Sequence, residues 1–218
     1  MSASRMMLEK KDYWDNYYRE QSDSIRLRPS QFAVFVANEL SGRNNIIDFG
    51  CGNGRDSLYF AHLGHAVIGV DASREAIVKC RKSAGHHNLN VEFLCENAES
   101  IDTRQAFNLQ GEPLVVYARF FLHALTEAEE DLFFEKIRKI GNEEVTLCLE
   151  FRTVKDAGNK KETPNHFRRF LNPYKTLAKL LFGGFSLEYY VEGFGYAKYK
   201  DDDAYVARII ASKTPGAA

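Results

Sequence analysis

The chain has 218 residues, of which 44% are hydrophobic, and its formal net charge is −1. This length favours one domain with a sizeable core over two domains. The balance of 29 basic against 30 acidic residues argues against a general binder of nucleic acid or of membrane surfaces.

The cysteine pattern bears on the cellular compartment. No C-x-x-C pair occurs among Cys51, Cys80, Cys95 and Cys148, so the sequence predicts reduced thiols and neither a zinc site nor a disulfide framework. The first residues contain no apolar segment of the secretory type, and no apolar run is long enough to cross a bilayer. We therefore expect a cytoplasmic protein.

Helix and strand patterns alternate along the chain. In chain order, they predict a helix over 31–40, a strand from residue 46, a helix over 57–63, a strand over 66–70, a helix over 74–84, strands over 91–95 and 114–118, a helix over 127–140, a strand over 144–151, a helix over 174–182, and strands over 185–191 and 205–211. In the helix over 127–140, we expect Leu132, Phe133, Ile137 and Ile140 to face the core.

This alternation predicts an α/β fold with a doubly wound, mostly parallel sheet. The last two strands have only a polar loop between them, which allows them to pair antiparallel at one edge. The stretch over 153–173 is irregular and rich in Lys, Asn, Arg and Pro, which is typical of a lid, a binding element or a disordered loop.

The sequence IIDFGCGNGRDS, residues 46–57, places glycines where a strand passes into a helix. Ligands of doubly wound sheets bind beyond the carboxyl ends of the strands, and Gly50 and Gly52 would let a cofactor lie against the main chain there. The helix that starts near Arg55 would offer its amides. Asp71 follows the next strand, where a carboxylate can bind ribose hydroxyls. Together these features predict an adenosine-containing cofactor.

The spacing also bears on which cofactor binds. In a dinucleotide site the third position of G-x-G-x-x-G is small, but Arg55 occupies it here. Asp48 precedes Gly50, and its carboxylate would repel a pyrophosphate while it suits a ligand with an ammonium and a sulfonium group. These two residues argue against a nicotinamide-dependent oxidoreductase.

IIDFGCGNGRDS together with VIGVDAS resembles motifs I and II of the class I S-adenosylmethionine-dependent methyltransferases, and the resemblance covers residues 46–151. It implies a Rossmann-like seven-stranded sheet of order 3-2-1-4-5-7-6 with strand seven antiparallel, and S-adenosylmethionine as the cofactor. It also implies a set of donor-binding residues: Asp48 at the amino group, Gly50, Cys51 and Gly52 along the loop, Asp71 with Ala72 at the ribose, Asn97 with Ala98 at the adenine in place of the usual acid, and Arg119 with Phe120 near the methionine part and the acceptor.

More loosely, YWDNYY, RPSQFAVFV, FRRFLNP and GYAKYKDDDAYVARIIA resemble small methyltransferases of bacterial surface-polysaccharide gene clusters. That similarity implies acceptors such as sugars, phosphates or phosphate-linked groups.

An aromatic cluster, Tyr13, Trp14, Tyr17 and Tyr18, precedes the core. It either packs as ordinary apolar surface or belongs to an N-terminal cap that closes over the cofactor, with Trp14 or Tyr18 shielding the donor. We therefore divide the single domain into a helical cap over 1–45 that contributes to the cofactor site, and a methyltransferase core over 46–218.

Two further features concern catalysis and the acceptor. His123, with Arg119 beside the cleft, is a candidate general base, or else a polar residue packed at a helix start. Arg152, Arg168 and Arg169, with Lys198 and Lys200, either form an anion pocket or are solvated surface. The remaining histidines lack metal-ligand spacing, so no metal is expected.

These observations predict methyl transfer to a small-molecule acceptor, either anionic or a sugar, with no nucleic-acid or membrane partner. A nicotinamide-dependent oxidoreductase and a non-catalytic S-adenosylmethionine-binding module stay open as alternatives. The oligomeric state is not predicted.

Overall fold

The computed structural model describes residues 3–21, 28–98, 100–101, 113–140, 144–162 and 166–214, and the side chains of the first helix from residue 8 onward. The helices are α1 Ala3–Glu20, α2 Gln31–Glu39, α3 Arg55–His62, α4 Arg74–His87, α5 Glu127–Arg138 and α6 Pro173–Phe182. The strands are β1 Asn45–Phe49, β2 Ala66–Asp71, β3 Glu92–Cys95, β4 Leu114–Arg119, β5 Val145–Arg152, β6 Ser186–Gly193, β7 Lys198–Tyr199, β8 Asp202–Asp203 and β9 Val206–Lys213.

Seven strands form one sheet in the order β3-β2-β1-β4-β5-β9-β6. β1 to β5 pair in parallel, whereas β9 lies antiparallel between β5 and β6. β7 and β8 form a separate small hairpin in the polar loop between the last two strands of the sheet. With β9 counted as the seventh strand of the sheet, the predicted order and the predicted antiparallel strand are confirmed.

Residues of β1 alternate between two layers of helices, as the period of a strand requires. Ile47 and Phe49 pack in the core that includes Phe133 and Ile137 of α5. Ile46 packs on the opposite face, with Phe32 of α2 and Phe60 of α3. Both faces of the central strands are therefore buried, which places their carboxyl ends at one open edge.

Polar caps set several helix starts. Ser30 accepts from the amide of Ala33 at the start of α2, and Thr126 forms a capping box with Glu129 at the start of α5. One predicted core residue of α5 is wrong: Leu132 is 52% exposed. Successive helical residues are about 100° apart, so the neighbour of the buried Phe133 turns toward solvent.

The irregular stretch over 153–173 is partly ordered. A short 3₁₀ turn spans Val154–Asp156, and Thr153 pairs with Leu171; residues 163–165 lie outside the described part. Among the helices that the structure describes, none is long and apolar enough to cross a membrane.

Candidate functional site

The loop after β1 follows backbone conformations that glycine adopts readily. Gly50, Gly52 and Gly54 have φ angles of +71°, +57° and +76°, which strain a residue with a Cβ. The amides of Gly50 and Cys51 donate to the carbonyl of Val70 at 2.8 and 3.0 Å. The glycine loop is therefore fixed against the end of β2, at the open edge of the sheet.

Neighbouring side chains fill the space beside all three of these glycines. A Cβ at Gly54 would meet Cys80 Sγ at 2.8 Å and the ring of Phe93 at 3.1 Å, and one at Gly50 would meet Phe121 at 2.7 Å. Gly54 is thus required by packing against α4 and β3.

Asp71 joins the glycine loop to the start of α4. Its Oδ2 accepts from the amide of Gly52 and its Oδ1 from the amide of Ser73, both at 2.9 Å. The hydroxyl of Ser73 accepts from Ala76 and caps α4, so Asp71 is not needed as the cap. Burial raises the pKa of Asp71. Each of its oxygens can accept one further hydrogen bond.

Asp48 lies beneath the glycine loop and is almost fully buried. Ser57 Oγ donates to its Oδ2 at 2.6 Å. Burial, and then the charge of Asp56, raise the pKa of Asp48 to about 7. A cationic ligand group beside Asp48 would favour its charged form.

Helix α1 crosses this edge and is anchored on both sides. Lys10 Nζ forms an ion pair with Glu129 of α5 at 2.7 Å. Asp15 Oδ1 accepts from Ser73 Oγ at 2.6 Å and from the amide of Glu75 at 3.3 Å, at the start of α4. The helix therefore spans the opening from α5 to α4.

The aromatic residues of α1 form one wall of the site. Trp14 and Tyr18 line both of the clefts described below. The ring of His166 stacks on Tyr13 at 4.6 Å and contacts Trp14 edge-on at 5.0 Å. The cluster thus joins α1 to the segment that follows β5.

The first cleft, which we call the apolar cleft, has a volume of about 600 Å³. It lies where β2 and β3 end, and Asp71 opens into it. Its lining includes Trp14, Tyr18, Ala72, Asn97, Ala98 and Phe121. Mostly apolar walls with a carboxylate and an amide are suited to a nucleoside.

The second cleft, which we call the polar cleft, has a volume of about 370 Å³ and shares Gly50, Trp14 and Tyr18 with the first. Arg119 at the end of β4 lines it, and Arg119 Nε pairs with Glu150 Oε1 at 2.8 Å. Glu150 Oε2 accepts from Arg208 Nε at 2.7 Å. One buried carboxylate therefore holds two guanidinium groups.

Phe120 follows Arg119 with a φ of +55°, a conformation that is costly for a bulky residue. Its ring lies 4.4 Å from the guanidinium of Arg119 and 5.3 Å from that of Arg152. The ring of His123 is also 5.3 Å away. Backbone strain of this kind concentrates at functional sites.

His123 is 4% exposed, and its Nδ1 has no hydrogen-bond partner among the described residues. Its carbonyl accepts from the amide of Arg169 at 2.8 Å. Its pKa lies well below the usual range, because burial and then neighbouring cationic groups disfavour the imidazolium; these groups are Arg168, Arg152, His166 and Arg119. His123 is therefore neutral near pH 7.

Arg152 lines the polar cleft, but it already has two carboxylate partners. Its Nη1 pairs with Asp156 at 2.6 Å, and its Nη2 pairs with Asp202. Lys161 also pairs with Asp156, at 3.1 Å. The structure thus gives Arg152 a role in holding the hairpin β7–β8 against the segment after β5.

Arg168 and Arg169 point to different places. Arg168 lines the polar cleft, and its Nη2 lies 3.3 Å from His166 Nε2. Arg169 Nη2 pairs with Glu130 at 2.9 Å, and its Nη1 donates to the carbonyl of Leu125. Arg169 lies outside both clefts, so the structure does not place it in the predicted anion pocket.

Comparisons with known proteins find several methyltransferases. The family described as "Methyltransferase domain" matches residues 46–143. A ubiquinone biosynthesis O-methyltransferase of Bradyrhizobium diazoefficiens is 34% identical over 68 residues, which are 31% of this chain and 27% of that enzyme. The magnesium protoporphyrin IX methyltransferase of Synechocystis, solved with bound S-adenosylmethionine, has a TM-score of 0.62 and 17% identity over 84% of this chain and 76% of that one. Residues 46–143 thus match a methyltransferase domain, and the chain shares its fold with solved S-adenosylmethionine-dependent methyltransferases.

The same comparisons limit what the fold shows. The chain spans only 36% and 27% of the length of two curated relatives that it matches. A 4+2 cyclase also shares the fold, with a TM-score of 0.66 and 17% identity over 88% of this chain and 86% of that one. A shared fold does not establish a reaction, so the chemistry of this site has to be inferred from the residues that line it.

The fold brings most of the predicted site residues to the two clefts. Those in the apolar cleft are Gly50, Asp71, Ala72, Asn97, Ala98 and Trp14. Those in the polar cleft are Asp48, Cys51, Gly52, Arg119, Phe120, His123, Arg152, Arg168 and Lys198. Lys200 is largely exposed and lies 4.0 Å from Glu162. Among the described residues, no cluster of three His, Cys, Asp or Glu side chains is arranged to hold a metal.

Two buried side-chain networks were not predicted from the sequence. Asp56 accepts from the amide and the hydroxyl of Ser30, both at 2.7 Å, and from Tyr117 Oη at 2.9 Å. Glu150 holds Arg119 and Arg208, as described above. The available signal was a carboxylate within the apolar strand CLEF, since buried acids are rare without a partner.

Proposed function

We propose that this protein transfers the methyl group of S-adenosylmethionine to a small-molecule acceptor. The observation that carries the proposal is the glycine loop between Asp48 and Asp71, because it opens into an apolar cleft on one side and a polar cleft on the other. A donor with an adenosine part and a charged amino acid part has this same division.

The residues fit the two parts of the donor. Asp71 would bind the ribose, with Asn97 and Ala98 beside the adenine. Asp48 would bind the ammonium, and Arg119 would lie toward the carboxylate. In this assignment the cap over 1–45 contributes Trp14 and Tyr18, which line both clefts and would exclude water from the donor.

The donor supplies an activated methyl group on a sulfonium, and methyl transfer forms a bond from the acceptor to carbon while the sulfur–carbon bond breaks. The chain contributes alignment, which can lower a barrier by roughly 7–11 kcal/mol in favourable cases. An acceptor anion loses no proton, whereas a hydroxyl needs a base within reach. Neutral His123 lines the polar cleft and can serve as that base.

The acceptor, the pathway and the cellular location are proposed on separate grounds. The acceptor is proposed to be anionic or a sugar, and surface-polysaccharide biosynthesis as the pathway is supported by the sequence resemblance alone. The cytoplasmic location and the small-molecule nature of the acceptor also stay predictions.

Isothermal titration calorimetry of the full chain with S-adenosylhomocysteine and with NAD tests the donor. We expect the chain to bind S-adenosylhomocysteine but not NAD. The affinity for S-adenosylhomocysteine should fall by at least tenfold in Asp71→Ala. Glu135→Ala removes an exposed carboxylate of α5 and is the matched control. Binding of NAD alone would favour the oxidoreductase. Donor binding without S-adenosylhomocysteine formation across an acceptor panel would favour a non-catalytic module.

A further inference from the structure

Two of the buried side-chain atoms in the polar cleft that have no hydrogen-bond partner among the described residues belong to a histidine and an aspartate. They are His123 Nδ1 and Asp202 Oδ1, and each side chain belongs to a residue that is 4% exposed. A buried polar atom without a partner destabilises the folded state. Native proteins keep few such atoms, so each calls for a reason such as a missing ligand.

The second oxygen of Asp202 is already engaged. Asp202 Oδ2 pairs with Arg152 and accepts from the amide of Glu162 at 3.3 Å. Oδ1 is left as a carboxylate acceptor that lacks a donor. A ligand group that satisfies it must therefore carry an O–H or N–H.

The surroundings of His123 favour an anion. Two groups of ion pairs lie near it. In the first, Glu150 pairs with Arg119 and Arg208. In the second, Arg152 pairs with Asp156 and Asp202, and Lys161 pairs with Asp156. These ion pairs contain three carboxylates and four cationic groups, and Arg168 also lines the polar cleft. The lowered pKa of His123 agrees with this, because after burial the charges of Arg168 and Arg152 disfavour its imidazolium form. Neutral imidazole can donate from Nδ1 to an oxyanion.

We propose that the methyl acceptor is a small hydroxyl-bearing oxyanion. Its anionic group is bound by His123 Nδ1 and Arg168, and its hydroxyl donates to Asp202 Oδ1. A hydroxyl suits Asp202 better than an ammonium group does, because an ammonium group would be repelled by the surrounding guanidinium groups. The proposal rests on the proposed function and names the class of its acceptor.

The test is calorimetry on the full chain saturated with S-adenosylhomocysteine. The probes are inorganic phosphate, glucose 6-phosphate, glucuronate and glucose. We expect both sugar anions to bind at least tenfold more tightly than glucose, and glucose 6-phosphate to bind more tightly than phosphate. Whichever sugar anion binds more tightly distinguishes a phosphoryl from a carboxylate group.

Two variants separate the two contacts. Arg168→Gln should weaken phosphate and glucose 6-phosphate by at least tenfold, whereas Lys139→Gln, which removes an exposed cation of the helix end, should weaken neither. Asp202→Asn should weaken glucose 6-phosphate alone, because the amide oxygen turns to Arg152 and its NH₂ then faces the cleft. Circular dichroism confirms that each variant is folded.

Some outcomes overturn the proposal. The anion site is contradicted if the sugar anions bind no more tightly than glucose. It is also contradicted if Arg168→Gln binds phosphate as tightly as the parent chain does. Equal losses of phosphate and glucose 6-phosphate in Asp202→Asn would remove the hydroxyl contact. Failure of S-adenosylhomocysteine to bind would instead overturn the proposed function. The affinities for the anions would then be measured on the chain without S-adenosylhomocysteine.

Discussion

The hydroxyl of Tyr18 occupies the space that a side chain at residue 52 would need. A Cβ built on Gly52 would collide with Tyr18 Oη, and Gly52 has a φ of +57°. The glycine loop is therefore packed against α1, and it carries the amide that donates to Asp71. A change at Gly52 should therefore affect both α1 and Asp71, the carboxylate proposed to bind the ribose.

Gly52→Ala should weaken S-adenosylhomocysteine by at least tenfold, which is about 1.4 kcal/mol of binding free energy. The added methyl group strains the left-handed backbone and displaces the hydroxyl end of Tyr18, which lines both clefts. Calorimetry measures the affinity, and hydrogen exchange of α1 shows whether the helix loosens.

Gly85→Ala is the matched control. Gly85 lies in α4 with no atom within 4 Å of the added Cβ, so alanine should stabilise the helix by about 0.5–1 kcal/mol and leave the affinity unchanged. If Gly52→Ala binds S-adenosylhomocysteine as the parent does, the loop tolerates displacement of Tyr18 and the cap does not support the site.

Binding of S-adenosylhomocysteine should release protons near neutral pH. The pKa of Asp48 is raised to about 7, so about half of the carboxyl groups are protonated at pH 7 in the unliganded chain. The ammonium of the ligand favours the carboxylate, and the affinity should rise between pH 6 and pH 8. Calorimetry in buffers of different ionisation enthalpy measures the released protons.

Asp48→Asn keeps the shape of the side chain and should abolish this buffer dependence. Proton release that persists unchanged in Asp48→Asn would assign it to another group, and would show that Asp48 does not meet the ammonium.

The central sheet could be predicted because its information is local. Ile46 and Ile47 sit in an apolar run, Gly50 breaks it, and a carboxylate follows the next strand, so a short window contains strand, loop and Asp71. The positions of the arginine side chains could not be predicted in this way. Arg169 and Arg168 are adjacent in sequence, yet one pairs with Glu130 of α5 and the other lines the cleft.

The missed networks share a physical cause. Glu150 and Arg208 are 58 residues apart, and they become neighbours only because β9 inserts antiparallel beside β5. Asp56 likewise meets Ser30 and Tyr117 from two other elements. Pairing between distant side chains depends on register, which no local pattern in a single sequence supplies.

Asp56→Ala should lower the free energy of unfolding by on the order of 3 kcal/mol. The substitution leaves the amide and hydroxyl of Ser30 and the hydroxyl of Tyr117 without their buried acceptor, and such donors cost about 1–3 kcal/mol each. Urea denaturation of Asp56→Ala and of Glu135→Ala compares a buried with an exposed carboxylate. Equal stabilities would mean that water replaces Asp56.

The stability of the parent chain should fall with pH below about 6.5 partly because of His123. Its pKa is lowered in the folded state by burial and by Arg168, Arg152, His166 and Arg119, whereas the unfolded chain takes up the proton near pH 6.5. The unfolded state therefore binds more protons in this window, and the free energy of unfolding falls by up to about 1.4 kcal/mol per pH unit.

Urea denaturation of the parent and of His123→Gln between pH 5 and pH 8 isolates this contribution, because the variant lacks the titrating imidazole. His65, whose pKa burial also lowers, and Asp48, whose raised pKa acts in the opposite sense, are present in both chains and cancel in the difference. The difference in stability should shift in favour of the variant as the pH falls. Parallel pH profiles would mean that His123 protonates as readily in the folded chain as in the unfolded one.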